Sequence, residues 1–343
     1  MEAAAPTKTI DIVIPAFNEE GNIARAIETL FTRLAPLPYR FELIVVDDGS
    51  RDRTAEIAAG FVGRHPVRVV RLTRNFGKEN ALLAGLDLAR GAATILMDAD
   101  LQHPVEMIPE FLAKWEQGFE IVYAVKASRQ GESLLKRVAT AAFYAGVNRG
   151  GDIEIPANAV DFRLLDAAAV RALCAIRERV RFTKGLYAWL GFRTVSMPFT
   201  AAERLTGHTT FNRRRLSRLG WDGLTSFSDF PLRAMSVIGA LFAFAAVPYA
   251  VWIAIRTLAY GVDVPGWATL TVATMLLGGL QLLFLGVLGQ YIRNVFIETK
   301  QRPNYLIREI VDADAGVAAQ AAGSRSAAAS AVAVVRSGRS AAV

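Results

Sequence analysis

Two long stretches without a charged residue constrain this chain more than any other feature. Residues 234–255 and 264–292 contain no Asp, Glu, Lys or Arg. Each stretch is longer than the roughly 20 residues that carry a helix across about 30 Å of hydrocarbon. A buried core helix is the alternative, but a helix without a polar face is unusual at this length. The sequence therefore predicts a hairpin of two transmembrane helices, about residues 234–256 and 265–292, in a membrane region that covers residues 233–293.

The charges beside these stretches predict the orientation of the hairpin. Basic residues precede the first stretch and follow the second, whereas the link between them holds only Arg256. The flanking residues are Arg213, Arg214, Arg215, Arg218 and Arg233 on one side and Lys300, Arg302 and Arg308 on the other. Because basic loops stay on the cytoplasmic side, we expect a multi-pass protein of the inner membrane with both termini in the cytoplasm. We expect no signal peptide, because the first apolar run, residues 10–14, is short and contains Asp11.

The first 200 residues alternate short β-rich runs with helical patterns. The predicted strands are residues 10–15, 41–47, 67–72, 94–97 and 119–125, and the predicted helices are residues 20–34, 52–62, 78–89 and 105–117. This alternation is typical of βαβ units around a mostly parallel sheet. No glycine-rich dinucleotide loop and no P-loop is present, which argues against a dinucleotide enzyme or a P-loop ATPase.

Residues 98–104 (Asp-Ala-Asp-Leu-Gln-His-Pro) place oxygen donors at the end of the fourth predicted strand. Side chains alternate along a strand, so Asp98, Asp100 and Gln102 share one side. Hard oxygen donors suit Mg²⁺ or Mn²⁺, and an ordinary strand-end turn with helix-capping residues is the alternative. Residues 15–20 and 47–50 are two further polar strand ends. Because such ends meet beyond a parallel sheet, we expect all three in one cleft.

The remaining composition limits partners and compartment. A net charge of +7 fits an anionic lipid surface or phosphate substrates, and the absence of a nucleic-acid motif argues against nucleic acid. The single cysteine, Cys174, fits a reducing compartment. We expect residues 201–232 to be a juxtamembrane amphipathic segment, residues 294–311 a cytoplasmic segment and residues 312–343 a disordered tail. An apolar stripe from Leu134 to Phe143 predicts an interfacial helix, with core packing as the alternative.

Several segments in a fixed order carry a resemblance to a known family. They are residues 12–20, 45–54, 74–79, 98–104, 161–163, 181–185, 226–228, 231–233 and 298–303. They resemble the family 2 glycosyltransferases, and within them the polyprenyl-phosphate glycosyltransferases, which include dolichol-phosphate mannose synthases and bactoprenol glucosyltransferases. The similarity covers roughly residues 8–308, and the hairpin makes the chain look most like the bactoprenol glucosyltransferases. It implies a GT-A type, Rossmann-like nucleotide-sugar domain at residues 1–200 and a homo-oligomer, a tetramer.

The resemblance also implies a role for individual residues. Pro15, Phe17, Glu19, Asp48, Lys78, Asp98 and Arg204 would bind the nucleotide sugar, Asp98, Asp100 and Gln102 would hold Mg or Mn, and Asp100 and Asp161 would be catalytic. Three of these positions have a structural alternative. Asp48 could belong to an ordinary Asp-Gly turn, Lys78 could be solvated at a helix start, and Asp161 could pair with Arg163.

The implied acceptor, a polyprenyl phosphate, sets different requirements. A phosphate monoester has a second pKa of about 6, so it is mostly a dianion at neutral pH and needs no dedicated general base. It does need cations that bring two anions together, and the candidates are Lys126, Arg129, Arg137 and Arg163. Each could instead be a solvated surface charge. Thr210 stands where relatives commonly carry a lysine, which could remove one diphosphate contact. His103 and His208 are poor candidates for a hard-cation site.

These features predict an inverting transferase of the cytoplasmic membrane face. We expect it to move a hexose, glucose from UDP-glucose, to undecaprenyl phosphate and so to supply a lipid-linked sugar for cell-envelope glycans. One alternative is a processive polysaccharide synthase, which normally has more spans and a Gln-x-x-Arg-Trp segment that this chain lacks. The other alternative is a catalytically silent membrane scaffold or lipid-handling subunit. It is disfavoured because Asp98, Asp100 and Gln102 are all present.

Overall fold

Eight strands of the described residues form one mixed sheet. The computed structural model describes residues 8–126, 159–179, 181–199, 230–261 and 266–313. The strands are β1 (Thr9–Ala16), β2 (Arg40–Asp47), β3 (Val67–Leu72), β4 (Ala93–Leu96), β5 (Ile121–Lys126), β6 (Ala159–Asp166), β7 (Thr194–Phe199) and β8 (Ile307–Val311). Their order across the sheet is β7-β5-β6-β4-β1-β2-β3-β8. The central strands β4, β1, β2 and β3 run parallel, which confirms the predicted mostly parallel sheet.

Helices follow most of these strands. They are α1 (Ile23–Leu34), α2 (Thr54–Ala59), α3 (Lys78–Leu88), α4 (Ile108–Glu116), α5 (Ala167–Ala175), α6 (Thr183–Trp189), α7 (Phe230–Tyr260) and α8 (Trp267–Thr299). A 3₁₀ turn, Val105–Met107, precedes α4 where the sequence predicts one continuous helix. The bounds of the first four helices otherwise lie close to the predicted ranges.

The helices cover both faces of the sheet because side chains alternate along the central strands. Ile12 and Ile14 of β1 lie in a core with α1, whereas Val13 points into a second core with α3. Along α1, the buried residues Ile23, Ala26, Ile27, Leu30 and Leu34 recur at helical spacing. Gly85 lets α3 approach the sheet, since a Cβ there would collide with Val13. This packing fixes the start of α3 above the carboxyl ends of β1 and β4.

The antiparallel strand β6 brings a new residue to the same edge of the sheet. Its register with β4 pairs Leu96 with Arg163 and Ile95 with Leu164. Continued past the end of β4, this register sets Asp161 level with Asp98. Directly opposite residues of antiparallel strands present their side chains on one face. The two aspartates, which are far apart in sequence, are therefore neighbours.

The segment after α8 returns to the sheet, which the sequence analysis did not predict. Strand β8 pairs antiparallel with β3, and Nη1 of Arg71 lies 2.6 Å from Oε1 of Glu309 across the pair. Just before β8, the Tyr305 hydroxyl donates to Asp87 at 2.5 Å, and Asp87 also accepts both terminal nitrogens of Arg177. The segment that follows α8 is therefore held against the sheet.

The two predicted apolar helices are present as α7 and α8. The segments Ala234–Tyr260 and Val272–Thr299 are long and apolar enough to cross a membrane, and neither is buried within the chain. Phe244 and Leu258, for example, are 81% and 88% exposed. A core helix of a soluble domain would be covered, so this exposure excludes that alternative for the described chain. Such an apolar surface is stable in lipid or against another protein and unfavourable in water.

Candidate active site

Polar residues after β4 form the floor of the candidate site. Asp98, Asp100 and Gln102 are partly buried, and a carboxylate oxygen of Asp100 accepts the backbone N–H of Gln102 at 3.1 Å. Leu101 between them has a φ of 53°, in the left-handed region that non-glycine residues rarely adopt. A backbone held in that conformation is a frequent feature of functional turns. The local fold thus fixes Asp100 and Gln102 against each other.

Lys78 joins two strands of the site through its ammonium group. The Nζ atom lies 2.6 Å from Oδ1 of Asp98 and 2.9 Å from Oδ2 of Asp161. Burial alone would lower the pKa of Lys78, but the charges of Asp98 and Asp161 outweigh burial and hold that pKa above its usual value. Lys78 is therefore a fixed positive charge between the predicted metal-binding loop and the predicted catalytic aspartate, rather than a freely solvated lysine.

Asp161 is an ionised carboxylate in this environment. Burial alone would raise its pKa, but Lys78, Lys184 and Arg163 hold the pKa well below the usual range of a carboxyl group. A carboxylate with a strongly lowered pKa is a weak base. The environment of Asp161 thus favours an electrostatic or positioning role over proton abstraction.

Glu19 is a further carboxylate close to the predicted metal-binding loop. Burial raises the pKa of Glu19, and the nearby charges of Asp100 and Asp98 raise it further, although a hydrogen bond from Asn22 opposes the change. The carboxylates of Asp98 and Asp100 are thus close enough to Glu19 to act on its charge. In the described residues, no group of three or more His, Cys, Asp or Glu side chains is spaced to hold an ion. The predicted set of two carboxylates and one amide would leave coordination positions for phosphate oxygens.

The predicted nucleotide-binding loops are linked to each other. Pro15 is the next-to-last residue of β1, Phe17 just beyond the strand is 41% exposed, and Asn18 has a φ of 55°. The backbone N–H of Asn18 donates to Ser50 Oγ, and its side-chain oxygen accepts the backbone N–H of Arg51, both at 2.9 Å. The loops after β1 and β2 therefore form one rigid wall, which presents Phe17 and Glu19 to the cleft.

Asp48 has a structural contact that the sequence did not reveal. Its carboxylate is 3% exposed and accepts the backbone N–H groups of Phe76 and Gly77 at 2.7 and 2.9 Å. These bonds fasten the loop that leads directly into Lys78. The turn after Asp48 needs glycine, because position 49 has a φ of 70° and a Cβ added there would lie 2.5 Å from the backbone carbonyl carbon of Arg74. The contact of Asp48 with a nucleotide base stays a prediction.

The predicted acceptor residues divide into two groups. Arg163 is 3% exposed; its guanidinium lies 3.6 Å from the ring centroid of Tyr187 and donates to the Val160 carbonyl. Its charge helps to lower the pKa of Asp161. A contact between Arg163 and a lipid phosphate stays a prediction. Lys126 is the last residue of β5, and its contact with a lipid phosphate stays a prediction. Arg129, Arg137, Arg204, His208, Thr210 and the predicted interfacial and juxtamembrane segments lie outside the described residues.

His103 is a packing residue. Its ring stacks on Phe162 with 5.2 Å between centroids and meets Phe199 edge-on. Burial lowers the pKa of His103, so the ring is neutral at neutral pH. This agrees with the expectation that it is a poor ligand for a hard cation.

A second layer of polar and charged residues lies beneath Asp161, and the sequence alone assigned it no role. It consists of Glu79 from α3, Arg181 and Thr183 at the start of α6, and Lys184 of α6. Nζ of Lys184 donates to the Ala159 carbonyl at 2.9 Å, and its charge lowers the pKa of Asp161. The available signal was the run at residues 181–185, which is part of the family resemblance but contains no motif with a known mechanism.

Comparison with known proteins shows that the chain is a glycosyltransferase. The profile described as glycosyl transferase family 2 matches residues 11–173. The chain belongs to this family, and its fold is the predicted GT-A type.

Three curated relatives place the chain more narrowly. It is 42% identical to an uncharacterized glycosyltransferase of Synechocystis, over 89% of this chain and 96% of the relative. It is 39% identical to a prophage bactoprenol glucosyl transferase homolog of Escherichia coli, over 88% and 99%. It is 40% identical to a bactoprenol glucosyl transferase of Shigella phage SfV, over 87% and 98%. The similarity thus extends through both apolar helices.

Proposed function

We propose that this protein transfers glucose from UDP-glucose to undecaprenyl phosphate with inversion at the anomeric carbon. The observation that carries the proposal is Lys78, which binds both Asp98 and Asp161 where the strand ends meet. This arrangement places a donor-binding loop, a fixed cation and an ionised carboxylate around one reacting centre. The names of two relatives, which print bactoprenol and a glucosyl group, support the acceptor and the transferred sugar, and the UDP donor is part of the proposal.

The donor side neutralises the charge of the leaving group. Asp98, Asp100 and Gln102 would hold Mg²⁺ or Mn²⁺, which supplies Lewis-acid stabilisation of the departing nucleoside diphosphate. Phe17 and Glu19 would contact the nucleotide along the wall formed by the first two loops. Lys78 would add a second positive charge beside the diphosphate when it exchanges one of its carboxylate partners for a phosphate oxygen.

The acceptor side brings a second anion to the sugar. A phosphate oxygen of the lipid attacks the anomeric carbon as the bond to the nucleoside diphosphate breaks, and the leaving diphosphate takes the electron pair. No proton has to move, because the phosphate is a dianion above its second pKa of about 6. Asp161 then acts by holding the lysines in place, and the lysines offset the repulsion between the two anions.

Membrane attachment fits a lipid acceptor. We propose that α7 and α8 cross the inner membrane as a hairpin with the catalytic domain in the cytoplasm, where nucleotide sugars are made. The return of the chain from α8 to β8 would hold the cleft close to the bilayer surface, where the phosphate of a polyprenyl lipid lies. A homo-oligomer of this chain would cover part of the exposed apolar helices.

A donor and acceptor panel tests the proposal. Membranes containing the protein receive undecaprenyl phosphate and labelled UDP-glucose, UDP-galactose, UDP-N-acetylglucosamine or GDP-mannose, and the labelled lipid is extracted. We expect one labelled lipid, formed from UDP-glucose and dependent on added undecaprenyl phosphate. A different preferred donor would change the assigned sugar, and no lipid product from any donor would favour the silent scaffold.

A further inference from the structure

A buried hydrogen bond joins the starts of two helices behind the site. The Thr183 hydroxyl, at the first residue of α6, donates to Oε2 of Glu79, at the second residue of α3. Thr183 is 5% exposed and Glu79 is half-buried. The two residues are 104 positions apart in sequence, so this bond is a tertiary contact between helices.

Each partner has a lysine beside it that acts on Asp161. Lys78 precedes Glu79 and binds Asp161 directly at 2.9 Å. Lys184 follows Thr183, donates to the carbonyl of Ala159 on the strand that carries Asp161, and lowers the pKa of Asp161. The Glu79–Thr183 bond therefore fixes the spacing of the two backbone segments from which these lysines extend.

We propose that Glu79 and Thr183 are positioning residues that hold the starts of α3 and α6 together so that Lys78 and Lys184 both act on Asp161. The proposal rests on the proposed transferase function, in which these charges bring two anions together. Neither residue touches the reacting atoms. Their effect is to fix the lysines before substrate binds, which lowers the reorganisation that the reaction requires.

The charges around Glu79 make this contact sensitive to pH. Burial and the charge of Asp161 together raise the pKa of Glu79 to about 7, against the opposing effect of three cations. The groups that face Glu79 are Lys78 of its own helix, Asp161 of β6, and Arg181, Lys184 and Tyr187 on the α6 side. When Glu79 ionises, its charge competes with Asp161 for the lysines.

A set of buried threonine variants tests the positioning role. Thr183→Val removes the hydroxyl at constant shape, Thr183→Ser restores it, and Thr94→Val is a matched control in the middle of β4, where Thr94 is 1% exposed. In the purified full-length protein we expect Thr183→Val to lower kcat about tenfold, with less than a twofold change in the KM for UDP-glucose. We expect wild-type behaviour from Thr183→Ser and Thr94→Val.

A second readout does not depend on turnover. The acetylation rate of Lys184, measured by mass spectrometry without substrates, reports how firmly this amine is held. We expect faster acetylation in Thr183→Val than in Thr183→Ser. Wild-type kcat together with wild-type Lys184 acetylation in Thr183→Val would overturn the proposal. If the wild type transferred no sugar, the proposed function would fail, whereas the acetylation rates would still test the positioning.

The Glu79→Gln variant keeps a hydrogen-bond acceptor for Thr183 and removes the titration. The kcat of the wild type should rise near pH 6 as the acceptor ionises and fall above about pH 7 as Glu79 loses its proton. Glu79→Gln should keep the rise and lose the fall.

Folding raises the pKa of Glu79, so the contribution of Glu79 to stability is greatest below the usual carboxyl pKa and decreases as the pH rises toward 7. The Tm of Glu79→Gln should therefore depend less on pH. Identical kcat and Tm profiles in the two proteins would contradict the role of Glu79.

Discussion

Arg179 and Glu298 form a contact that joins the catalytic domain to the end of α8. Nη1 of Arg179 lies 3.0 Å from Oε2 of Glu298, and Oε1 of Glu298 accepts the backbone N–H of Arg179 at 2.6 Å. Nε of Arg179 also donates to the carbonyl of Arg302. The loop that contains Arg179 continues directly to Thr183 at the start of α6. The end of the proposed membrane helix is therefore linked through one short loop to the charges behind Asp161.

Removing this contact should slow transfer. We expect Arg179→Met to lower kcat about threefold, because the loop before α6 loses this contact. We expect only a small change in Tm, because partly exposed ion pairs contribute little to stability. Lys8→Met is the control, because Lys8 forms a similar surface pair with Glu116 at 2.8 Å. Steady-state rates and thermal unfolding of both variants measure the effect. Equal losses in both variants would show that the Arg179 contact has no specific role.

Gly49 should be far less tolerant of a side chain than Gly63. Both have a positive φ, of 70° and 85°, but only Gly49 lies against another backbone segment. We expect Gly63→Ala to cost about 1 kcal/mol of unfolding free energy through its conformation alone. Gly49→Ala should cost at least about twice as much, because the loop before Lys78 must also move. Denaturant unfolding measures both, and equal costs would contradict the tight contact with Arg74.

The βαβ half of the fold was predictable because its strands are buried apolar runs that alternate with helices along the chain. Strand β6 was not predicted, since Asp161 and Arg163 interrupt its apolar pattern. Strand β8 was not predicted either, because it is an edge strand with charged residues such as Arg308 and Glu309. Lys78 was found, but its bridging position depends on the β4–β6 register. The Glu79–Thr183 bond was invisible, because sequence patterns report local spacing and this contact is made by tertiary packing.

Asp161→Asn should leave a slow reaction whose rate still rises near pH 6. The folded-state pKa of Asp161 is lowered, so its stabilising charge is present above the usual carboxyl pKa and is lost only as the pH falls through the lowered value. Asp161 therefore does not titrate where the enzyme works, and the rate of the variant should still rise near pH 6 with the acceptor phosphate. A variant that binds acceptor normally and regains turnover only well above about pH 8 would instead identify Asp161 as a general base.

Cysteine labelling tests the membrane hairpin with little background. Cys174 is the only native cysteine, and burial raises its pKa to about 12, with a further contribution from Asp87. A cysteine at Tyr260, which is 83% exposed at the end of α7, should react with an impermeant maleimide in intact cells. A cysteine at Asn304, beside β8, should react only in inverted vesicles. Labelling of the two positions from the same side would contradict the hairpin.

The stereochemistry and metal dependence of one turnover test the central claim most directly. Purified protein, undecaprenyl phosphate and UDP-glucose labelled with ¹³C at the anomeric carbon are followed by NMR, with and without a chelator, for the wild type and Asp100→Asn. We expect a single β-linked glucosyl phospholipid from the α-linked donor, because direct attack by the phosphate inverts the centre. Chelation and Asp100→Asn should each abolish the product while the protein stays folded by thermal unfolding. An α-linked product, or undiminished turnover in excess chelator, would contradict the account.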